Sequence, residues 1–131
     1  MSAETALVFD DDNFFRTLLT DTLTGLNLQV TSYSSHALFL AQLKAGDCPA
    51  AAPAPDFILT DNQMPGMTGL EFLSQLRQLG CRIPESRIAI ISGRWDEADL
   101  ATARQLGCQV FQKYNSPEQL STWIEKVRQD R

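Results

Sequence analysis

Short apolar runs alternate with longer amphipathic stretches along the chain, and this alternation most constrains its fold. Residues 6–9, 57–59 and 88–91 are continuously apolar, as expected of strands that are buried on both faces. Residues 28–31 and 110–111 supply two shorter strand segments. An amphipathic segment follows each of the five. Five strand–helix repeats predict a parallel sheet with helices on both faces.

Capping residues and glycines set the ends of the predicted helices. Thr68 and Glu71 form a capping-box pattern, and Gly25 can end the first helix. The sequence Arg-Gln-Leu-Gly-Cys occurs at 77–81 and again at 104–108, so the third and fourth helices both end at glycine. The predicted helices cover residues 13–24, a segment capped by Ser34 or Ser35, Thr68 to about Gly80, residues 96–106, and a segment that begins at Ser116.

Length and composition predict one soluble domain over residues 1–131. The apolar fraction is 44%, and the net charge of -5 argues against a surface that contacts nucleic acid. The sequence contains no run of eighteen apolar residues and so predicts no membrane span, and its first residues lack the pattern of a signal peptide. We therefore expect a cytoplasmic protein. The long Ala- and Pro-rich stretch 46–55 is expected to be a solvated loop.

The cysteines and the single histidine do not indicate a disulfide framework or a zinc site. Cys48, Cys81 and Cys108 are odd in number and show no C-x-x-C spacing, so reduced thiols are expected. His36 is the only histidine and is expected at the surface of a helix.

Polar side chains follow four of the five predicted strands. Asp10, Asp11 and Asp12 follow the first strand, Asp61 the third, Ser92 the fourth and Lys113 the fifth. In a doubly wound, flavodoxin-like sheet of order 2-1-3-4-5, the first and third strands are neighbours at the topological switch point. Asp11 and Asp61 would then lie together, flanked by Ser92 and Lys113.

Carboxylates brought so close together need a counter-charge. Two of them about 4 Å apart repel by roughly 4 kcal/mol at an effective dielectric constant near 20. Mg²⁺ prefers oxygen ligands and is typically held by one or two carboxylates plus phosphate oxygens. A carboxylate beside this ion and a lysine is suited to phosphoryl transfer.

These features together resemble the response-regulator receiver family along the whole chain. The shared pattern is the acidic cluster, an Asp followed three residues later by Met-Pro-Gly, a Ser after the fourth strand, and a Lys after the fifth. The resemblance implies that a histidine kinase or histidine phosphotransfer protein phosphorylates the chain and that the modified surface signals onward. It also implies that Asp61 accepts the group, that Ser92 and Lys113 bind it, and that Mg²⁺ is held by Asp10 (through water), Asp11, Asp61 and the Gln63 carbonyl.

The chain departs from the family pattern at two positions that bear on signalling. Tyr114 follows Lys113 where the family usually has Pro, and Val110 takes the place of the family's switch aromatic. Trp95 and Tyr114 are the candidate replacements for that aromatic ring. A phosphate sink or relay that needs little change of surface is the other possibility.

Two other functions are compatible with parts of the sequence. Asp10 and Asp12 resemble the Asp-x-Asp motif of haloacid-dehalogenase phosphatases, with Asp10 as the nucleophile, although that reading leaves the Met-Pro-Gly motif unexplained. A receiver-like binding module that is never phosphorylated is the second alternative. In the preferred interpretation, the chain is a signalling domain and not an enzyme acting on an external substrate, and no effector domain is visible.

Overall fold

A computed structural model of the chain describes residues 4–43, 55–80, 83–113 and 116–129. Within these ranges it contains five parallel strands, five α-helices and one short 3-10 helix. The strands are β1 (Thr5–Phe9), β2 (Gln29–Tyr33), β3 (Phe57–Asp61), β4 (Ile88–Ser92) and β5 (Gln109–Gln112). The α-helices are α1 (Asn13–Gly25), α2 (His36–Leu43), α3 (Gly69–Gln78), α4 (Glu97–Leu106) and α5 (Ser116–Gln129), and the 3-10 helix is Glu85–Arg87.

The strand order is β2-β1-β3-β4-β5, which confirms the predicted doubly wound sheet. All five strands run parallel, so their carboxyl ends lie along one edge. β1 and β3 are direct neighbours, with Phe9 paired to Thr60, and Asp61 of β3 is paired to Ile91 of β4. The residues that follow β1, β3 and β4 are thereby brought to one place.

Alternation along the strands divides the core into two layers. Val8, Leu59 and Ile91 pack on one face with apolar side chains of α1 and α5. Phe9, Ile58 and Ile90 pack on the other face with side chains of α2 and α3. Every residue of β3 and β4 is buried, whereas β2 and β5 at the sheet edges are partly exposed. Helices therefore cover both faces, as predicted.

The helix ends follow the local sequence signals. Asp12 caps α1 by accepting hydrogen bonds from the backbone N–H groups of Phe14 and Phe15. Thr68 and Glu71 form the predicted capping box of α3. Gly80 and Gly107 adopt φ values of 85° and 88°, a left-handed backbone that favours glycine after a helix. The repeated Arg-Gln-Leu-Gly motif therefore ends a helix at both positions.

His36 contradicts the expected surface position. The side chain is 2% exposed, and its ring stacks on Phe72 with the ring centres 4.2 Å apart. Its Nε2 atom lies 2.7 Å from Thr60 Oγ1, within hydrogen-bond distance. The first turn of α2 packs over the aromatic side chains of β1 and α3, and a polar residue placed there is buried with them. Sequence spacing around one histidine carries no information about that packing.

Three expectations fall outside the described residues: Cys48 and Cys81 as reduced thiols, Tyr114 as a substitute aromatic, and most of the loop at 46–55. Cys108 is buried with a free thiol. Within the described ranges, no helix has the length and apolar character needed to cross a membrane.

Candidate functional site

The polar residues at the carboxyl edge of the sheet form one compact cluster. Carboxylate oxygens of Asp10, Asp11 and Asp61 all lie within 4.8 Å of one another. Asp10 and Asp61 are buried, and Asp11 is exposed at the mouth of the site. β1 and β3 bring them together, because Asp61 ends β3 and Asp10 follows its neighbour β1.

Lys113 supplies the positive charge of this cluster. Its Nζ atom lies 3.0 Å from Asp61 Oδ2 and 3.4 Å from Asp10 Oδ1. The same atom lies 5.0 Å from the centre of the Phe15 ring, in a cation–π arrangement. Burial lowers the pKa of Lys113, but its hydrogen bond and ion pair with Asp61, together with the charge of Asp10, leave the pKa above its ordinary value. The amine is therefore charged and held against the two carboxylates.

Asp10 carries an electrostatic cost without a metal ion, even beside Lys113. Burial raises its pKa to about 6, and the nearby Asp61 charge adds to this, while the hydrogen bond from the Asp12 N–H and the Lys113 charge oppose it. Among the described residues, the buried Asp10 Oδ2 atom has no hydrogen-bond partner. A buried carboxylate oxygen without a partner, beside two further carboxylates, fits a hard cation such as Mg²⁺.

The loop after β3 is anchored to the Asp61 carboxylate. The backbone N–H of Gln63 donates to Asp61 Oδ1 at 2.9 Å. This bond fixes the carboxylate and draws the peptide of residue 63 close to it. Gln63 itself is exposed.

Ser92 is buried at the end of β4, next to the Asp61–Ile91 pair of the sheet. Its hydroxyl donates to the Arg94 carbonyl at 2.8 Å and accepts from the Arg94 N–H at 3.1 Å. The hydroxyl is thus engaged by its own loop in this arrangement. It must leave the Arg94 carbonyl before it can donate to a group on Asp61.

Two residues that sequence reasoning passed over support the site. Arg16 of α1 donates from its guanidinium to the Asp10 carbonyl at 2.8 Å, one turn beyond the acidic cluster. Asn62 is 2% exposed, and its side chain bridges α3 and α4. An Arg on the first turn of the helix that follows an acidic cluster was a usable signal. For Asn62 nothing in the sequence indicated its partners.

The comparisons with known proteins agree on one family. The family model described as "Response regulator receiver domain" matches residues 6–125. The chain belongs to the response-regulator receiver family. Receivers are signalling domains of two-component systems, and the acidic pocket of Asp10, Asp11 and Asp61 fits their aspartyl phosphate and magnesium site.

Similar full-length proteins place receiver domains within longer chains. The DNA-binding transcriptional regulator NtrC of Escherichia coli is 34% identical over 100 residues, which is 76% of this receiver and 19% of NtrC. The response regulator TodT of Pseudomonas putida is 32% identical over 94 residues, or 72% of this receiver and 37% of TodT. The chain therefore spans about a fifth of NtrC and over a third of TodT.

A solved structure agrees on the fold. The chemotaxis protein CheY4 of Vibrio cholerae superposes with a TM-score of 0.75 at 22% identity, covering 96% of this receiver and 99% of CheY4. At that identity the likeness shows the fold alone.

The family match favours the receiver interpretation over the phosphatase alternative, and the position of Asp12 agrees. Asp12, the second carboxylate of the Asp-x-Asp motif, has its side chain engaged as the N-cap of α1. Its Oδ2 atom lies 3.9 Å from Lys113 Nζ, at the outer side of the cluster. Asp12 is therefore a helix cap at the edge of the cluster.

The shifted pKa values of Asp10 and His36 predict opposite effects of pH on stability. The pKa of Asp10 is raised to about 6, so its stabilising effect is full below about pH 4 and is lost as pH rises through 6. Burial lowers the pKa of His36 to about 4. Its contribution is therefore present above about pH 6.5 and is lost as pH falls through 4.

We expect these two effects to cancel partly in the wild-type protein and to separate in single variants. In magnesium-free buffer, Asp10→Asn should raise the free energy of unfolding at neutral pH by roughly 1–3 kcal/mol, and the gain should vanish near pH 4. His36→Leu should instead flatten the loss of stability toward acid pH. Urea unfolding followed by tryptophan fluorescence measures both slopes. An Asp10→Asn curve parallel to wild type across this range would contradict the raised pKa.

Proposed function

We propose that this receiver accepts a phosphoryl group on Asp61 from a histidine kinase or a histidine phosphotransfer protein. One observation carries the proposal. The Asp61 carboxylate is buried at the carboxyl end of β3, paired with Lys113 at 3.0 Å, and lies within 4.8 Å of two further carboxylates. A carboxylate so placed has both a cation and further acidic metal-ligand candidates beside it, which phosphoryl transfer requires for positioning and charge stabilisation.

The proposed step forms one bond and breaks another. Asp61 Oδ attacks the phosphorus of the phosphohistidine, and the bond from phosphorus to the histidine nitrogen breaks as the imidazole leaves. Lys113 neutralises charge on the transferred oxygens, and the Ser92 hydroxyl, once released from Arg94, donates to one of them. Both groups act by electrostatic stabilisation in a largely buried setting.

Magnesium is the cofactor that the cluster supports. Asp11, Asp61 and the Gln63 carbonyl would hold the ion directly, and Asp10 would hold it through a water molecule. When bound, the ion would add positive charge to that of Lys113 and would offset the repulsion among the carboxylates. The raised pKa of Asp10 and its unpartnered Oδ2 atom both support this assignment.

We further propose that residues 1–131 form one receiver domain that works in the cytoplasm, where histidine kinases present their phosphoryl groups. The domain catalyses its own phosphorylation and dephosphorylation and acts on no external substrate. The relatives NtrC and TodT are longer regulators, which supports an effector in the same chain or in a separate protein.

Acetyl phosphate labelling in the presence of Mg²⁺ tests the proposed function without a kinase. A metal-bound carboxylate should take one phosphoryl group from this small donor. Intact-protein mass spectrometry would detect a single addition, and peptide mapping would place it at Asp61. A protein that stays unlabelled under these conditions would be a receiver-like binding module instead.

Trp95 is the residue that we propose replaces the missing switch aromatic. Its indole N–H donates to the Phe111 carbonyl of β5 at 3.1 Å, which ties the loop after Ser92 to the strand before Lys113. Gln112 Nε2 donates to the Gly93 carbonyl at 2.9 Å and joins the same two segments. Val110 is half-buried and has one strongly restricted side-chain torsion, so it cannot swing as an aromatic ring does.

We expect Trp95→Ala to uncouple phosphorylation from the surface formed by α4 and β5. In the wild type, beryllofluoride, a stable stand-in for the phosphoryl group, should shift the amide resonances of α4 and β5. The reason is that movement of the Ser92 hydroxyl also moves the loop that carries Trp95. In Trp95→Ala the shifts should be confined to the site loops. Val110→Ala is the matched control and should respond like wild type. Equal shifts in α4 and β5 for Trp95→Ala and wild type would eliminate Trp95 as the switch.

A further inference from the structure

The fourth helix is held by unusually little apolar burial. Ala103 is the one residue of α4 that is buried, and Leu106 is 45% exposed. By comparison, α1 buries Phe15, Leu19 and Leu23. Because hydrophobic burial contributes so little to α4, polar contacts weigh more heavily in fixing where this helix lies.

One of those polar contacts comes from the residue directly after Asp61. The Asn62 side chain donates from Nδ2 to Asp99 Oδ2 at 3.0 Å, in the first turn of α4. Its Oδ1 atom accepts from the backbone N–H of Leu70 in α3 at 3.2 Å. The Asn62 N–H donates to the Ile91 carbonyl of β4 at 2.7 Å. A single buried residue therefore joins β4, α3 and α4 at the carboxyl edge of the sheet.

The segment around Asp61 has little room to move independently of these contacts. A Cβ atom placed on Gly69 would lie 3.0 Å from Thr60 Cγ2 and 3.1 Å from the Asp61 carbonyl oxygen. Glycine is thus required at the start of α3 by the close approach of the Asp61 backbone. In so tight a packing, displacement of the Asp61–Asn62 peptide passes to its neighbours and is not absorbed locally.

We propose that Asn62 is a positioning residue that couples the state of Asp61 to the position of α4. The charge-assisted hydrogen bond to Asp99 holds α4 in the arrangement that accompanies a free Asp61 carboxylate. This inference rests on the proposed function, since it requires Asp61 to change state. A phosphoryl group on Asp61 adds negative charge next in sequence to Asn62, which bonds Asp99. Repulsion by that charge disfavours the present position of the Asp99 carboxylate.

A contact that favours one state opposes conversion to the other, so its removal should ease phosphorylation. Asp99→Ala removes the acceptor, whereas Asp99→Asn keeps an oxygen that Asn62 Nδ2 can reach. Glu97→Ala is the matched control, because Glu97 is an exposed acid in the same helical turn and shares its interaction with the helix dipole.

The first measurement is amide hydrogen exchange of α4 in the protein without a phosphoryl donor. Asp99→Ala should speed exchange about tenfold, as expected for the loss of one hydrogen bond to a charged group. Asp99→Asn should stay near wild type and Glu97→Ala should change little. Adding Asn62→Ala to Asp99→Ala should not speed exchange of α4 further, because the bond to Asp99 is already lost and the other side-chain bond of Asn62 is to α3.

The second measurement is the initial rate of labelling by acetyl phosphate. Asp99→Ala should label severalfold faster than wild type, and Asp99→Asn should restore the wild-type rate. If Asp99→Ala speeds exchange of α4 but labels at the wild-type rate, the bond is merely structural and the inference is overturned. Unchanged exchange of α4 in Asp99→Ala would overturn it as well. If wild type itself takes no label, the proposed function fails, and this inference fails with it. If wild type and Asp99→Ala both take label at the same rate, only this inference is rejected and the proposed function stands.

Discussion

Replacing Asp61 with asparagine is expected to abolish phosphoryl labelling by acetyl phosphate. The amide of asparagine is a far weaker nucleophile than a carboxylate, and the substitution also removes a negative charge that would bind Mg²⁺. The rate should fall below detection, a loss of roughly a thousandfold or more, as for removal of other catalytic nucleophiles. Mass spectrometry of the intact protein after incubation with acetyl phosphate and Mg²⁺ measures it.

Two controls make this result specific to Asp61. Asp21→Asn changes an exposed carboxylate on α1 and should label like wild type. The circular dichroism spectrum of Asp61→Asn should match wild type, since the change keeps the size of a side chain at the end of β3. Labelling of Asp61→Asn at the wild-type rate would show that another carboxylate is the acceptor.

Removing the Asp11 carboxylate is expected to weaken Mg²⁺ binding strongly. Asp11 is the exposed member of the three-carboxylate cluster, and Asp11→Asn would remove a charged direct ligand from a site with few protein ligands. We expect the dissociation constant to rise by roughly tenfold or more, measured by tryptophan fluorescence or calorimetric titration with MgCl₂.

Asp12→Asn is the matched comparison for Asp11. Its carboxylate caps α1 and lies 3.9 Å from Lys113 Nζ, so it stands beside the metal-binding set and not within it. An asparagine also caps helices well, so stability should change by only a few tenths of a kcal/mol. Mg²⁺ affinity should fall much less than in Asp11→Asn. Equal losses in the two variants would mean that Asp12 is also a ligand.

Local sequence patterns were sufficient for the secondary structure and for much of the fold. Continuous apolar runs identified β3 and β4 as strands buried on both faces, and the capping signals at Thr68 and Gly107 set helix ends. The capping signals hold because each cap is a contact between residues that are close in sequence. The apolar runs hold because a strand buried on both faces has no position for a solvated side chain. Parallel order then follows from the repeated strand–helix alternation.

The polar residues of the site could be predicted from the sequence because they follow the strands of a parallel sheet. In a parallel sheet all carboxyl ends meet at one edge, so strand order alone brings Asp10, Asp11, Asp61 and Lys113 together. Their distances, the unpartnered oxygen of Asp10 and the hydrogen bond that holds the Ser92 hydroxyl within its own loop depend on backbone geometry that no spacing rule supplies.

Only the tertiary structure decided the surroundings of His36 and Asn62. His36 was expected at the surface because a lone histidine builds neither a metal site nor a catalytic triad, but the ring is covered by Phe72 from α3, thirty-six residues away along the chain. Asn62 contacts Asp99, which lies thirty-seven residues further on. Sequence alone determined which groups would gather at the carboxyl edge of the sheet, because parallel strands end together. Tertiary packing decided which buried polar groups find partners there, because those partners come from helices whose positions relative to the sheet are set by packing across the whole core.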